Sequence, residues 1–154
     1  MNFLLLTLSA TLALGLGEFA VRILRPQQLR HLGAIYRPAD TIGFERRPDL
    51  HTRANLGDRW VDVITDHQGF RVGRAGRVEA DTRVLLLGDS FVEALAVTYE
   101  ESFAGLLQAR LPARLGRPVA VRNGGVSGYS PSHYLLAAER ALRREPFALV
   151  VVAI

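Results

Sequence analysis

The stretch Arg83-Val84-Leu85-Leu86-Leu87-Gly88-Asp89-Ser90-Phe91 decides the fold. Val84 to Leu87 is a short, continuous apolar run, the pattern of a strand buried on both faces. A Gly-Asp-Ser turn comes directly after it. Further on, Phe103, Leu106, Leu107 and Leu111 recur at helical spacing within Glu101 to Leu115, with Arg110 on the same stripe. Pro118 to Arg122 reads as a second strand. Ser132 to Arg144 reads as a second helix, with Leu135, Ala138 and Leu142 on one face, and Phe147 to Ile154 as a third, all-apolar strand. Strand, helix, strand, helix, strand over residues 82–154 predicts a parallel sheet with right-handed crossovers. No turn signal comes after Val150 to Ile154, and three strands alone leave long apolar edges. The expectation is an incomplete domain, truncated after its third strand.

Upstream, residues 26–81 are punctuated by Pro38, Gly43, Pro48 and Gly57, and Arg59 to Thr65 alternates as a strand does. Gly69, Gly73 and Gly76 then mark a loop. This region reads as a small β-rich lead-in packed beside the main domain. Residues 1–25 contain an apolar run from Phe3 to Gly17, continued after Glu18 to Leu24. As one helix, Phe3 to Leu24 reaches roughly 30 Å, enough to cross a bilayer. Glu18 falls near one end, where a charge costs far less than at the centre, and Arg22 and Arg25 can reach the interface. The competing reading is a cleaved signal peptide. The segment has no basic residue ahead of the apolar run and no clear small-x-small cleavage site, so a single-pass anchor is expected.

Composition removes several classes of function. All 19 basic residues are arginines, and the formal charge is +4. The arginines form no stripe interleaved with aromatics, so no nucleic-acid partner is expected. Without cysteine there are no disulfides, thiolate metal sites or thiol nucleophile. Without lysine there is no Walker-type phosphate loop. His31, His51, His67 and His133 show no metal-ligand spacing, and no metal or cofactor is expected.

Two loops carry chemistry. In an open α/β sheet, sites form beyond the carboxyl ends of the strands. Gly88 allows a tight backbone there, and Ser90 presents its hydroxyl with its own N–H available to an oxyanion. Alternatively, Asp89 or Ser90 only caps a helix or turn. The second loop, Asn123-Gly124-Gly125-Val126-Ser127-Gly128-Tyr129-Ser130, comes after the second strand. It lies beside the first in a parallel sheet, so the Gly128 N–H could serve the same oxyanion. It also reads as a plain turn, with Ser130 or Pro131 opening the helix. Its glycine spacing departs from Gly-x-Gly-x-x-Gly, and Gly125-Val126-Ser127-Gly128 is not a Gly-x-Ser-x-Gly elbow.

Taken together, the two loops resemble the first two sequence blocks of the SGNH (GDSL-type) hydrolase superfamily. The first block is Gly88-Asp89-Ser90. The second is Asn-x-x-x-x-Gly, here Asn123 to Gly128. Thr65-Asp66-His67-Gln68-Gly69-Phe70-Arg71 is similar to an Asn-x-x-Gly-Phe-Arg segment upstream in many bacterial members, with Asp66-His67 where Asn-Ser is usual. The resemblance covers residues 65–154. It implies a three-layer α/β/α, flavodoxin-like sheet and a serine esterase acting on acyl or acetyl esters of carbohydrate or lipid. Ser90 is then the nucleophile, the N–H groups of Ser90 and Gly128 bind the oxyanion, and Gly88, Asp89 and Asn123 support the site. The family's later oxyanion Asn and its Asp-x-x-His block have no counterpart in these 154 residues, so the chain alone is expected to be inactive. His133 and His67 lie outside that block and read as loop or surface residues.

Two other classes share these residues: an O-acyltransferase for envelope polysaccharide, and a noncatalytic membrane-tethered binding module. The positive-inside rule applied to Arg22, Arg25 and Arg30 puts the globular part in the cytoplasm, whereas the resemblance implies an extracytoplasmic, periplasmic one. An anchored chain stays with membranes through an alkaline carbonate wash, and deletion of residues 1–24 releases it. A shortened, soluble product in cells would establish the signal-peptide reading instead.

Overall fold

The computed structural model describes residues 2–24, 32–56 and 59–153. Arg25, Pro26, Arg30, His31, Gly57 and Ile154, which enter the sequence reading, lie outside the described residues. The first element is α1 (Asn2–Leu24), a helix of about 34 Å at about 1.5 Å per residue. Every described side chain from Phe3 to Leu24 is exposed. Thr7, Ser9 and Thr11 turn their hydroxyls back onto carbonyls three or four residues earlier, and Arg22 pairs with Glu18 at 2.7 Å. The helix is long and apolar enough for a membrane anchor or a signal sequence.

After a short helix, α2 (Leu32–Ile35), come β1 (Tyr36–Ala39) and β2 (Gly43–Arg46), which pair as an antiparallel hairpin. The remaining strands are β3 (His51–Asn55), β4 (Trp60–Thr65), β5 (Arg71–Val72), β6 (Thr82–Leu87), β7 (Val119–Asn123) and β8 (Leu149–Val152). They form one mixed sheet in the order β3-β4-β5-β7-β6-β8. The three strands expected from residues 82–154 are present, with β6 parallel to both β7 and β8. Sequence reading set the lead-in beside that sheet. Instead, β3 to β5 extend it in plane, through a single antiparallel pairing of Arg71 with Asn123.

Alternate residues of β6 face opposite sides. Leu86, with Val121 of β7, packs against Ala104, Leu107 and Leu111 of α4 (Phe103–Leu115). Leu85 and Leu87, with Phe70, pack against Ala137, Ala138 and Ala141 of α5 (Pro131–Leu142). The two helices thus cover opposite faces, an arrangement compatible with the flavodoxin-like layering. The buried faces match those expected in part: Leu107 and Leu111 of α4 and Ala138 of α5 pack inward. Phe103 and Leu106 of α4 are exposed, as are Leu135 and Leu142 of α5. Against Phe70, Leu85 and Leu87, α5 presents alanines, because large side chains already fill the sheet surface. β8 is shorter than the apolar run that predicted it. It lies at the sheet's edge, with Leu149 and Val152 exposed.

Two polar residues of the 65–71 segment shape its turn and its pairing. The Asp66 carboxylate accepts from the N–H groups of Gln68 and Phe70, both at 2.9 Å, and pairs with Arg77 at 2.5 Å. This is an Asx-type turn. It delivers Arg71 into β5, where its fully buried guanidinium donates to the carbonyls of Glu93, Ala94 and Val97, each at 2.7 Å. Burial, and then the like charge of Arg46, bring the Arg71 pKa down to about 10. The cation is the dominant form near neutral pH. Stranding a buried acceptor costs roughly 1–3 kcal/mol. Arg71→Leu strands three, so a loss of about 3 kcal/mol or more is expected in urea unfolding. A change within 0.5 kcal/mol, roughly the scatter of surface substitutions, would rule out this role.

Candidate functional site

The first loop is set by close packing. A Cβ on Gly88 would lie 2.3 Å from Val92 Cγ2 and 2.8 Å from the Ala153 carbonyl oxygen, so no side chain fits at the end of β6. Asp89 then caps α3 (Ser90–Glu93), its carboxylate accepting from the Phe91 N–H at 2.9 Å. The capping alternative therefore holds for Asp89. Ser90 opens the helix and is exposed. Among the described residues its hydroxyl takes no hydrogen-bond partner. The chain leaves α3 through Ala94, a non-glycine in the left-handed region (φ 55°). That conformation is held from both sides: the Ala94 N–H donates to the Ser90 carbonyl at 2.8 Å, and the Ala94 carbonyl accepts from Arg71.

The second loop is fastened to the first along its length. Asn123 ends β7 and is fully buried. Its Nδ2 donates to the Val92 carbonyl at 2.9 Å, and its Oδ1 accepts from the Gly125 N–H at 3.0 Å. The Gly124 N–H donates to the Leu86 carbonyl at 2.8 Å, and the Val126 N–H to the Gly88 carbonyl at 3.0 Å. Ser127 donates both its N–H and its hydroxyl to Glu93 Oε2, at 2.6 and 2.5 Å. Gly128 comes next with φ +85°, a value that favours glycine, and is exposed. The Tyr129 N–H closes the turn on the Val126 carbonyl at 3.1 Å. Ser90 and Gly128 thus belong to loops that begin at the carboxyl ends of neighbouring parallel strands and bond to each other.

Charged residues lie beneath these loops. Glu93 is fully buried and also accepts from the Tyr36 hydroxyl at 2.7 Å. Arg46 is buried as well. It donates from Nε to the Gly69 carbonyl at 3.0 Å and from Nη2 to the Asn123 carbonyl, while Nη1 lies 3.9 Å from Glu93 Oε1. Neither Arg46 Nη1 nor Glu93 Oε1 has a hydrogen-bond partner among the described residues. Burial pulls the Arg46 pKa down and the Glu93 charge opposes it. Burial, then the Glu93 charge, push the Tyr36 hydroxyl well above its ordinary value. It therefore stays protonated and donates.

No described histidine bonds to Ser90. His133 Nδ1 lies 2.7 Å from the Ser130 hydroxyl and accepts the Ser130 N–H at 3.1 Å, a reciprocal cap at the start of α5, with its ring stacked on Tyr129 at 4.9 Å. His51 and His67 are exposed. Glu93, Arg46 and Tyr36 were not singled out by sequence. The one available signal was that Glu93 lies three residues after Ser90, one helical turn.

No family model matches the chain. No curated protein matches it either. Among solved structures it is similar to AlinE4, described as an SGNH-hydrolase family esterase, with 26% identity and a TM-score of 0.40 over 49% of this chain and 41% of that one. An aspartate-to-alanine variant of the same esterase gives the same figures. The match takes in less than half the length of that protein.

The glycines make separable predictions. A Cβ on Gly125 would lie 2.6 Å from Val92 Cβ and Cγ1 and 2.7 Å from the Glu93 nitrogen, whereas one on Gly124 meets chiefly the Leu87 Cδ2 tip at 2.7 Å. Gly125→Ala is therefore expected to destabilise by about 1–3 kcal/mol, the range for overpacking, and Gly124→Ala by clearly less. Thermal unfolding of the two variants checks the order, and equal effects would show that the loops are not in close contact.

Proposed function

We propose that this chain carries the nucleophile and the oxyanion-binding part of an SGNH-type serine esterase. The observation that supports this most is the Asn123 amide. One buried side chain is bonded to both loops, and Ser90 and Gly128 stay exposed above it. A hydroxyl and backbone N–H donors delivered together suit acyl transfer.

In this reading the Ser90 hydroxyl gives its proton to a base and its oxygen attacks the ester carbonyl carbon. The N–H groups of Ser90 and Gly128 take the developing oxyanion. The alcohol leaves with the proton, and water then hydrolyses the acyl-Ser90 ester. A preorganised donor of this kind is worth roughly 3–4 kcal/mol in the transition state. Gly88 and Asp89 set the turn that exposes Ser90. The SGNH resemblance assigns the base and the acid that orients it to an Asp-x-x-His block, and no described histidine bonds to Ser90. The substrate class is an acyl or acetyl ester of carbohydrate or lipid, met by a globular part tethered through α1 on the extracytoplasmic side. An acyltransferase would use the same residues with a sugar hydroxyl in place of water. A second reading is a tethered binding module without catalysis, which would use the same two loops as a recognition surface.

At its natural length the protein is expected to hydrolyse 4-nitrophenyl acetate, with Ser90→Ala lowering kcat/KM by roughly 10⁴-fold or more. Residues 1–154 alone should turn over no faster than their own Ser90→Ala variant. Unchanged hydrolysis in natural-length Ser90→Ala would end the Ser90 esterase reading, and no hydrolysis above the buffer blank by the wild type would leave the binding module. Transfer of the acetyl group to an added glycan in preference to water would make the protein an acyltransferase.

A further inference from the structure

Glu93 lies three residues after Ser90, yet its carboxylate serves the other loop and the lead-in. Oε2 accepts three hydrogen bonds, from the Ser127 N–H, the Ser127 hydroxyl and the Tyr36 hydroxyl. Oε1 faces Arg46 Nη1 across 3.9 Å. The carboxylate is fully buried, out of reach of bulk solvent. A carboxylate with three donors on one oxygen and a cation opposite the other is restrained in position and in rotation.

The restraint falls on the residue before Gly128. Ser127 is fixed at its backbone nitrogen and at its side chain, so the peptide joining Ser127 to Gly128 has little freedom on that side. On the other side, the Tyr129 N–H is bonded to the Val126 carbonyl and the Tyr129 hydroxyl to the Phe44 carbonyl at 2.7 Å. The Gly128 N–H is bracketed by two fixed residues. Of the groups that fix them, Tyr36, Phe44 and Arg46 all belong to the β1–β2 hairpin.

We infer that Glu93 is a positioning residue that aims the Gly128 N–H at the oxyanion, and that the β1–β2 hairpin, through Tyr36 and Arg46, is a working part of the site. This rests on the esterase reading. An oxyanion donor acts mainly in the transition state, so a misaimed donor lowers kcat and leaves KM nearly unchanged.

The test uses the natural-length protein and 4-nitrophenyl acetate. Glu93→Gln keeps the shape, removes the charge and is expected to lower kcat about 10- to 100-fold, up to the lower end of the loss for a deleted oxyanion donor. Glu93→Gln leaves Arg46 buried opposite a neutral group and can fail to fold. Tyr36→Phe and Ser127→Ala each remove one donor to Oε2 while keeping the Arg46–Glu93 pair, and each is expected to lower kcat about 3- to 10-fold at constant KM. In the same variants the backbone amide resonance of Gly128 should move, with that of Phe91 unchanged. If Ser90→Ala abolishes hydrolysis but Tyr36→Phe and Ser127→Ala keep wild-type kcat, the inference is wrong and the esterase reading stands. A rise in KM at constant kcat also overturns it. If wild-type and Ser90→Ala proteins hydrolyse the ester equally, the esterase reading itself fails and this inference with it.

Discussion

The buried amide of Asn123 is the constraint on which the site depends. At the carboxyl end of β7 it is fully withdrawn from water, so its donor and its acceptor must both find protein partners. It finds one in each loop, the Val92 carbonyl and the Gly125 N–H. A parallel sheet brings two βα loops near each other, but that leaves their relative height and rotation open. The Asn123 amide, with the Val126–Gly88 and Gly124–Leu86 bonds, closes that freedom. Residues that would otherwise belong to two separate turns become one rigid surface.

The same residue ties the site to the rest of the sheet. Asn123 pairs with Arg71 across β7 and β5, and its carbonyl accepts from Arg46. Arg71 in turn holds the carbonyls at the end of α3. Burying Arg46, Arg71 and Glu93 carries a desolvation penalty that apolar side chains would avoid. What the charges supply is direction. A guanidinium fork satisfies several carbonyls at fixed angles, which an apolar contact cannot do. Where the loops meet, buried charge fixes a geometry that apolar packing would leave open.

The division between what was readable and what was not lies in sequence separation. β6, β7 and both crossover helices were evident because Val84 to Leu87 and the helical spacings are local patterns. The two turns stand out in the sequence because Gly88 directly follows β6 and a glycine-rich run follows β7. The helix faces were misjudged where large residues such as Leu135 and Leu142 stay exposed and alanines are buried, since pattern alone does not reveal how much space a sheet surface leaves. β5 is two residues long between glycines and gives no periodic signal, so its role as the link between lead-in and sheet was hidden. Glu93 and Arg46 were hidden for another reason. Charged residues usually lie at the surface, and only contacts across tens of residues, such as Ser127 with Glu93 and Arg46 with Asn123, reveal them as interior.

An esterase built this way requires Ser90 and Gly128 to act on one atom. The most direct measurement is a crystal structure of the natural-length protein after reaction with an alkyl phosphonate that modifies serine hydroxyls. Phosphorus should be bonded to Ser90 Oγ, with one phosphoryl oxygen about 2.7–3.1 Å from the backbone nitrogens of both Ser90 and Gly128. An adduct on Ser90 whose oxygens all point away from Gly128, or a Ser90 left unmodified while another side chain reacts, would contradict a shared oxyanion site.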